Sequence, residues 1–176
     1  RTDKKGVRQL YRFLRCLKSG KKRTMNWRLL KHLYTVSRAY KGKTLVVYSG
    51  YRSRKLPPGR ESRHKTGQAV DFRVRGVSKA ALRDYLVKRF KKVGVGYYPN
   101  VPFVHLDVRK KRGAFWVDVS SSGQRSRYVK NPRAWVKAQG KKPAESKQQA
   151  PSPPASNVVQ GPPPLGPDIM AHNPGE

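Results

Sequence analysis

At 176 residues the chain has room for one domain and a tail, and its 41 Lys+Arg against 9 Asp+Glu give a net charge of +32. A single cysteine, Cys16, excludes an internal disulfide and a thiolate metal cluster, and no apolar run approaches the roughly 20 residues that cross a bilayer. From Pro143 onward Lys147 is outnumbered by Glu145, Asp168 and Glu176, so the body before it holds 40 of the 41 basic residues against Asp3, Glu61, Asp71, Asp84, Asp107 and Asp118, and such a body adheres to polyanions.

Residues 5–18 space Val7, Leu10, Tyr11, Leu14 and Leu17 along one face of a helix, which Ser19-Gly20 ends. A second helix is expected from Asn26, an N-cap, to Tyr40, with Leu29, Leu30, Leu33, Val36 and Tyr40 inward and His32 as a packing or surface residue. Lys41-Gly42-Lys43 is a turn, and Thr44 to Tyr48 is apolar and β-branched enough for a central strand. Leu56-Pro57-Pro58-Gly59 must be loop, and Ala69 to Val74 is the next strand. Ser78 caps a helix through Phe90, with Ala81, Leu82, Tyr85, Leu86 and Phe90 inward. Gly94 to Tyr98 and Phe103 to Val108 pair as a hairpin around Pro99-Asn100-Val101-Pro102. Ala114 to Val119 is a last strand, and a short segment forms around Trp135. After Gly140 the composition turns to Pro, Ser, Gln and Gly, so residues 1–140 read as one domain and 141–176, His172 included, as a flexible tail.

Two stretches carry chemistry. In Ser62-Arg63-His64-Lys65-Thr66-Gly67-Gln68-Ala69-Val70-Asp71, His64 and Asp71 enclose six residues. In Phe103-Val104-His105-Leu106-Asp107-Val108, His105 and Asp107 share one strand face while Val104, Leu106 and Val108 take the other. Asp71 and Asp107 lie in apolar runs, where an unpaired carboxylate is costly, so an arginine or a metal must compensate each. Two imidazoles and one carboxylate, His64, Asp71 and His105, are the ligand set of a catalytic zinc site with a fourth position left for water. Arg52, at the end of the first strand, can set a positive charge where an oxyanion develops. Asp107 has two readings, a general base beside His105 or a carboxylate that orients a ligand imidazole. Glu61 is a reserve base.

The pattern Ser-x-His-x-x-Gly-x-Ala-x-Asp, preceded by Ser49-Gly50-Tyr51-Arg52-Ser53 and followed by Gly94-Val95-Gly96-Tyr97-Tyr98-Pro99 and Phe103-Val104-His105-Leu106-Asp107, resembles the zinc peptidases of the LAS group (lysostaphin, D-Ala-D-Ala metallopeptidases, hedgehog). It is most similar to the MepK-type (YcbK-like) murein endopeptidases, over roughly residues 5–118. The resemblance implies Zn2+ on His64, Asp71 and His105, a carbonyl-steadying role for Arg52, and cleavage of peptide cross-bridges in peptidoglycan. Two positions depart from it. Val101 and Pro102 stand where related peptidases often carry the base, and the link between Ser53 and Ser62 is short, basic and proline-bearing.

The expected fold is α+β, a small mainly antiparallel sheet with two N-terminal helices and one further helix packed on it and the metal site in a cleft on the sheet. The expected partner is a peptidoglycan peptide, with anionic cell-wall polymers as a second and nucleic acid as a weaker third. Arg1 at the start suits a secreted or periplasmic chain after signal removal, and equally a trimmed one. A monomer is expected. Two alternatives to the endopeptidase stand: a zinc-stabilised binder of an anionic polymer, and a carboxypeptidase acting on stem peptides. Tyr51, Tyr97, Tyr98 and Trp116 read as packing residues near the motifs.

Overall fold

A computed structural model describes residues 4–55, 61–139 and 158–159. Among these residues four helices, α1 (Lys4–Phe13), α2 (Trp27–Ala39), α3 (Lys79–Arg89) and α4 (Pro132–Gln139), accompany six strands: β1 (Leu45–Ser49), β2 (Ala69–Val74), β3 (Val93–Tyr97), β4 (Val104–Val108), β5 (Ala114–Val117) and β6 (Val158–Val159). The sheet runs β5-β3-β4-β2-β1-β6, antiparallel throughout except for the parallel β3–β5 pair. The fold is thus the α+β arrangement expected. The strand expected to be central, β1, instead lies outside β2 and β4. Along its far edge lies the two-residue β6, which pairs Val159 with Leu45 and Val158 with Val46.

The period-2 alternation of the strands divides the sheet into two unlike faces. Val70, Phe72 and Val74 of β2, Val104, Leu106 and Val108 of β4, and Val93 and Val95 of β3 meet Leu29, Leu33 and Val36 of α2 and Leu82 and Leu86 of α3 in one buried core. Burying each such side chain contributes roughly 1.5–3 kcal/mol. The other face carries Asp71, His105 and Asp107. Both helices have their side-chain caps: Asn26 Oδ1 accepts from the Arg28 N–H, and Ser78 Oγ from the Ala81 N–H.

Three further expectations need correction. Helix α1 stops at Phe13, five residues short, because the chain turns where the Leu14 carbonyl accepts from the Tyr51 N–H. Leu14 is then buried, and Leu17 lies outside the helix and exposed. On α3, Ala81 is exposed and Arg83 is buried in its place, its guanidinium paired to Asp84 and 4.5 Å from the Tyr97 ring centroid. The last strand ends at Val117, since Asp118 accepts from the backbone N–H groups of Ser120 and Arg127 and bridges to Tyr128. The loop expectation for Leu56 to Gly59 lies outside the described residues, as does the tail expectation apart from Val158–Val159.

Candidate metal centre

Register builds the site. Asp71 of β2 lies opposite His105 of β4, and Ala69 lies opposite Asp107. Ser49, the last residue of β1, lies opposite Asp71, so the Gly50-Tyr51-Arg52 turn leaves the sheet beside that carboxylate. His64 arrives from the turn preceding β2. There the Gly67 backbone takes φ +68° and the Asn26 N–H donates to its carbonyl, which ties the turn to the start of α2.

Three donor atoms converge. His105 Nδ1 lies 2.8 Å from Asp71 Oδ1 and 3.3 Å from His64 Nε2, and His64 Nε2 lies 3.4 Å from the same Asp71 oxygen. All three residues are buried, and they form a group able to hold a metal ion. Neighbouring ligand atoms on a tetrahedral zinc ion are roughly 3.3 Å apart, given bonds of about 2.0–2.1 Å to N and O. The donor set and its spacing therefore fit.

What stands behind each ligand fixes its orientation. The partner of His64 Nδ1 is the Gly50 carbonyl at 2.7 Å; a carbonyl only accepts, so Nδ1 carries the proton and Nε2 keeps its lone pair for the cluster. On the far side of the His105 ring, Nε2 donates to Asp107 Oδ2 at 3.2 Å, which frees Nδ1 for the cluster. Asp107, 2 % exposed, is itself held by Arg109, whose Nε donates to Oδ1 at 2.8 Å and Nη2 to Oδ2 at 3.1 Å, and by Arg63 Nε at 3.4 Å. Asp71 presents Oδ1 to the imidazoles while Oδ2 accepts from Arg52 Nη2. Arg52 Nε donates to Ser49 Oγ at 2.7 Å, and the exposed arginine spans the rim of the site.

The charges follow these contacts. Burial by itself raises the Asp71 carboxyl, but the His105 and His64 imidazoles beside it outweigh that and hold the group well below the usual carboxylate range. For His105 burial favours the neutral ring, yet the Asp107 and Asp71 carboxylates on either side carry its pKa upward. The Asp107 carboxyl is likewise held down, against burial, by His105 and Arg109.

The sequence passed over several neighbours. Trp116, read as packing, packs on His105: its ring centroid is 5.2 Å from that of His105, and its Nε1 donates to Tyr98 Oη at 3.2 Å. Tyr98 is half-buried there, and burial raises its phenol. The glycines of β3 make the room. Gly94 pairs with Asp107 and Gly96 with His105. A Cβ at Gly94 would lie 2.2 Å from Asp107 Oδ2, and one at Gly96 would lie 2.7 Å from the Trp116 ring. Two glycines alternating within an apolar strand signal such close approach. Tyr51 and Tyr97 pack against the core, Glu61 is exposed on its loop outside the ligand group, and His32 stacks on Phe90 at 4.2 Å.

The chain resembles known proteins over much of its length. A family model described as Peptidoglycan L,D-endopeptidase MepK matches residues 1–114. The curated proteins of that name from Escherichia coli (strain K12) and Shigella flexneri are each 30% identical over 114 residues, covering 59% of this chain and 62% of theirs. The chain thus spans about three fifths of the length of these relatives. No solved structure matches. The matched segment contains all three converging donor residues together with Arg52 and Asp107, and the chain belongs to the family of the peptidoglycan L,D-endopeptidase MepK.

Proposed function

We propose that the chain is a zinc-dependent murein peptidase of the cell envelope that hydrolyses peptide cross-links within peptidoglycan. The observation that carries the reading is the convergence of His64 Nε2, Asp71 Oδ1 and His105 Nδ1 within hydrogen-bonding distance of one another on one face of the sheet. A zinc ion held by these three supplies a Lewis acid and brings the pKa of water towards about 7.

The chain's own residues do the rest. The Gly50 carbonyl and the Asp107 carboxylate fix the tautomers of His64 and His105, so that the ligating nitrogens are unprotonated and aimed inward. Arg52, fastened by Ser49 and Asp71, presents a fixed positive charge at the rim, where the carbonyl oxygen of a bound peptide gains negative charge as the carbon becomes tetrahedral. Asp107 is assigned to positioning His105 and not to accepting the proton of the attacking water. Its oxygens are engaged by His105, Arg109 and Arg63, on the side of the ring facing away from the cluster.

Digestion of purified peptidoglycan, with mass spectrometry of the released muropeptides, tests the reading. Cross-linked dimers should collapse to monomers, a chelator should stop this, and zinc should restore it. Loss of terminal stem residues from monomers, with dimers intact, would make the chain a carboxypeptidase. Unchanged profiles at full zinc loading would leave only a binder.

A further inference from the structure

The zinc site uses few of the 41 basic residues, and the surplus is not spread evenly. At the end of β4, where the chain turns towards β5, Arg109, Lys110, Lys111 and Arg112 meet Arg63 from the turn before β2 and Arg28 from the first turn of α2 around a groove of about 560 Å3. No acidic side chain lines this groove among the described residues. Three of its guanidiniums are fixed in place. Arg28 Nη2 donates to the carbonyls of Lys92, at 3.3 Å, and Arg109, at 2.5 Å; Arg63 Nη1 donates to Gln68 Oε1 at 3.2 Å; and Arg109 holds the buried Asp107. Like charges gathered in a concavity repel and focus a positive potential, which an anion relieves. The guanidinium N–H groups that these contacts leave free are held in place and suit phosphate oxygens.

We propose that this groove docks a linear phosphodiester polymer of the cell wall. Arg63 and Arg109 share Asp107, so four of the lining cations, Arg28, Lys110, Lys111 and Arg112, have no acidic partner among the described residues. A stem peptide with one or two carboxylates leaves at least two of them unpaired, whereas a chain with a phosphate in every repeat matches them in number. Among the described residues the lining also carries no aromatic side chain on which a base could stack, the usual grip on single-stranded nucleic acid, so the phosphates rather than any bases are what it engages. The choice of a wall polymer over other phosphodiesters rests on the murein peptidase reading; the groove itself does not. Arg63 and Arg109 serve both regions, since each contacts Asp107, which positions His105. Docking therefore places the zinc site beside the wall polymer and alongside the peptides of the same wall.

The test uses the full chain with zinc and fluorescent poly(glycerol phosphate), with binding followed by anisotropy at several salt concentrations. Lys110, Lys111 and Arg112 are exposed and outside the catalytic machinery. The triple variant K110Q/K111Q/R112Q should bind at least about tenfold more weakly and with less salt dependence, whereas R38Q/K41Q/K43Q, an equal charge change at the opposite end of α2, should lose less than about threefold. Equal losses in the two variants would overturn the groove. Tighter binding of a DNA oligomer of equal charge would overturn the wall polymer as its occupant. Hydrolysis of a soluble cross-linked muropeptide, assayed on the same samples, reads the peptidase assignment separately: its absence with groove-dependent binding intact overturns that assignment alone.

Discussion

The Asp107 carboxylate stands 3.2 Å behind Nε2 of the His105 ring, while Nδ1 of the same ring faces Asp71 at 2.8 Å. One imidazole thus joins a carboxylate outside the cluster to a carboxylate inside it. Asp107→Asn keeps the shape and removes the charge. Zinc affinity should fall about 10–100-fold while stoichiometry at saturating zinc stays at one, as read by competition with a chromophoric chelator. Lost turnover with unchanged affinity would return Asp107 to the role of proton acceptor.

Arg52 links Ser49 Oγ to Asp71 Oδ2 through two different nitrogens. Lysine offers a point charge and cannot span both. Arg52→Lys and Arg52→Gln should retain zinc and lower kcat, the glutamine variant by about 10²–10³-fold, with KM changed far less. A rise in KM at constant kcat would show that Arg52 binds substrate without favouring the transition state.

Gly94 and Gly96 leave the space that Asp107 and Trp116 occupy. Gly94→Ala must displace a buried, triply held carboxylate, and Gly96→Ala must displace an indole that packs on His105. Each should cost about 1–3 kcal/mol of stability, seen as a lower Tm. Both should also weaken zinc binding, because the displaced groups orient His105. Loss of stability with zinc affinity intact would confine these glycines to backbone packing.

Asp118 closes the end of β5. Burial raises its carboxyl, but the Ser120 hydroxyl and N–H and the Arg127 N–H outweigh that and hold it below its ordinary value. A carboxyl depressed in the folded state stabilises the fold above its unfolded pKa of about 3.9, and that stability is lost as pH falls through the folded value. Asp118→Asn should therefore reduce stability at neutral pH by about 1–3 kcal/mol and flatten its decline on acidification, measured by denaturant unfolding at neutral pH and near pH 3. Parallel curves for variant and parent would show that Asp118 contributes nothing to the acid limb.

Much of this was legible in residue order alone. Alternation in β2 and β4 put Asp71 on one face of its strand and His105 with Asp107 on one face of theirs, because successive strand residues point to opposite sides. Helix spacing and the caps Asn26 and Ser78 placed α2 and α3, because local hydrogen bonds decide where such helices begin.

Tertiary contacts decided the remainder. Residues 5–18 have helical spacing throughout, yet the turn at Leu14 ends α1 early because Tyr51, 37 positions away, takes the Leu14 carbonyl. Strand order placed β1 towards the edge, and no local pattern encodes which strand lies beside which. Residue order does not say which side of the His105 ring the Asp107 carboxylate occupies. That side depends on Arg63 and Arg109 drawing the carboxylate back and on Gly94 leaving room for it. Spacing along the chain names the ligands of a metal, but only the packing of separate segments sets the direction from which each neighbouring charge acts on them.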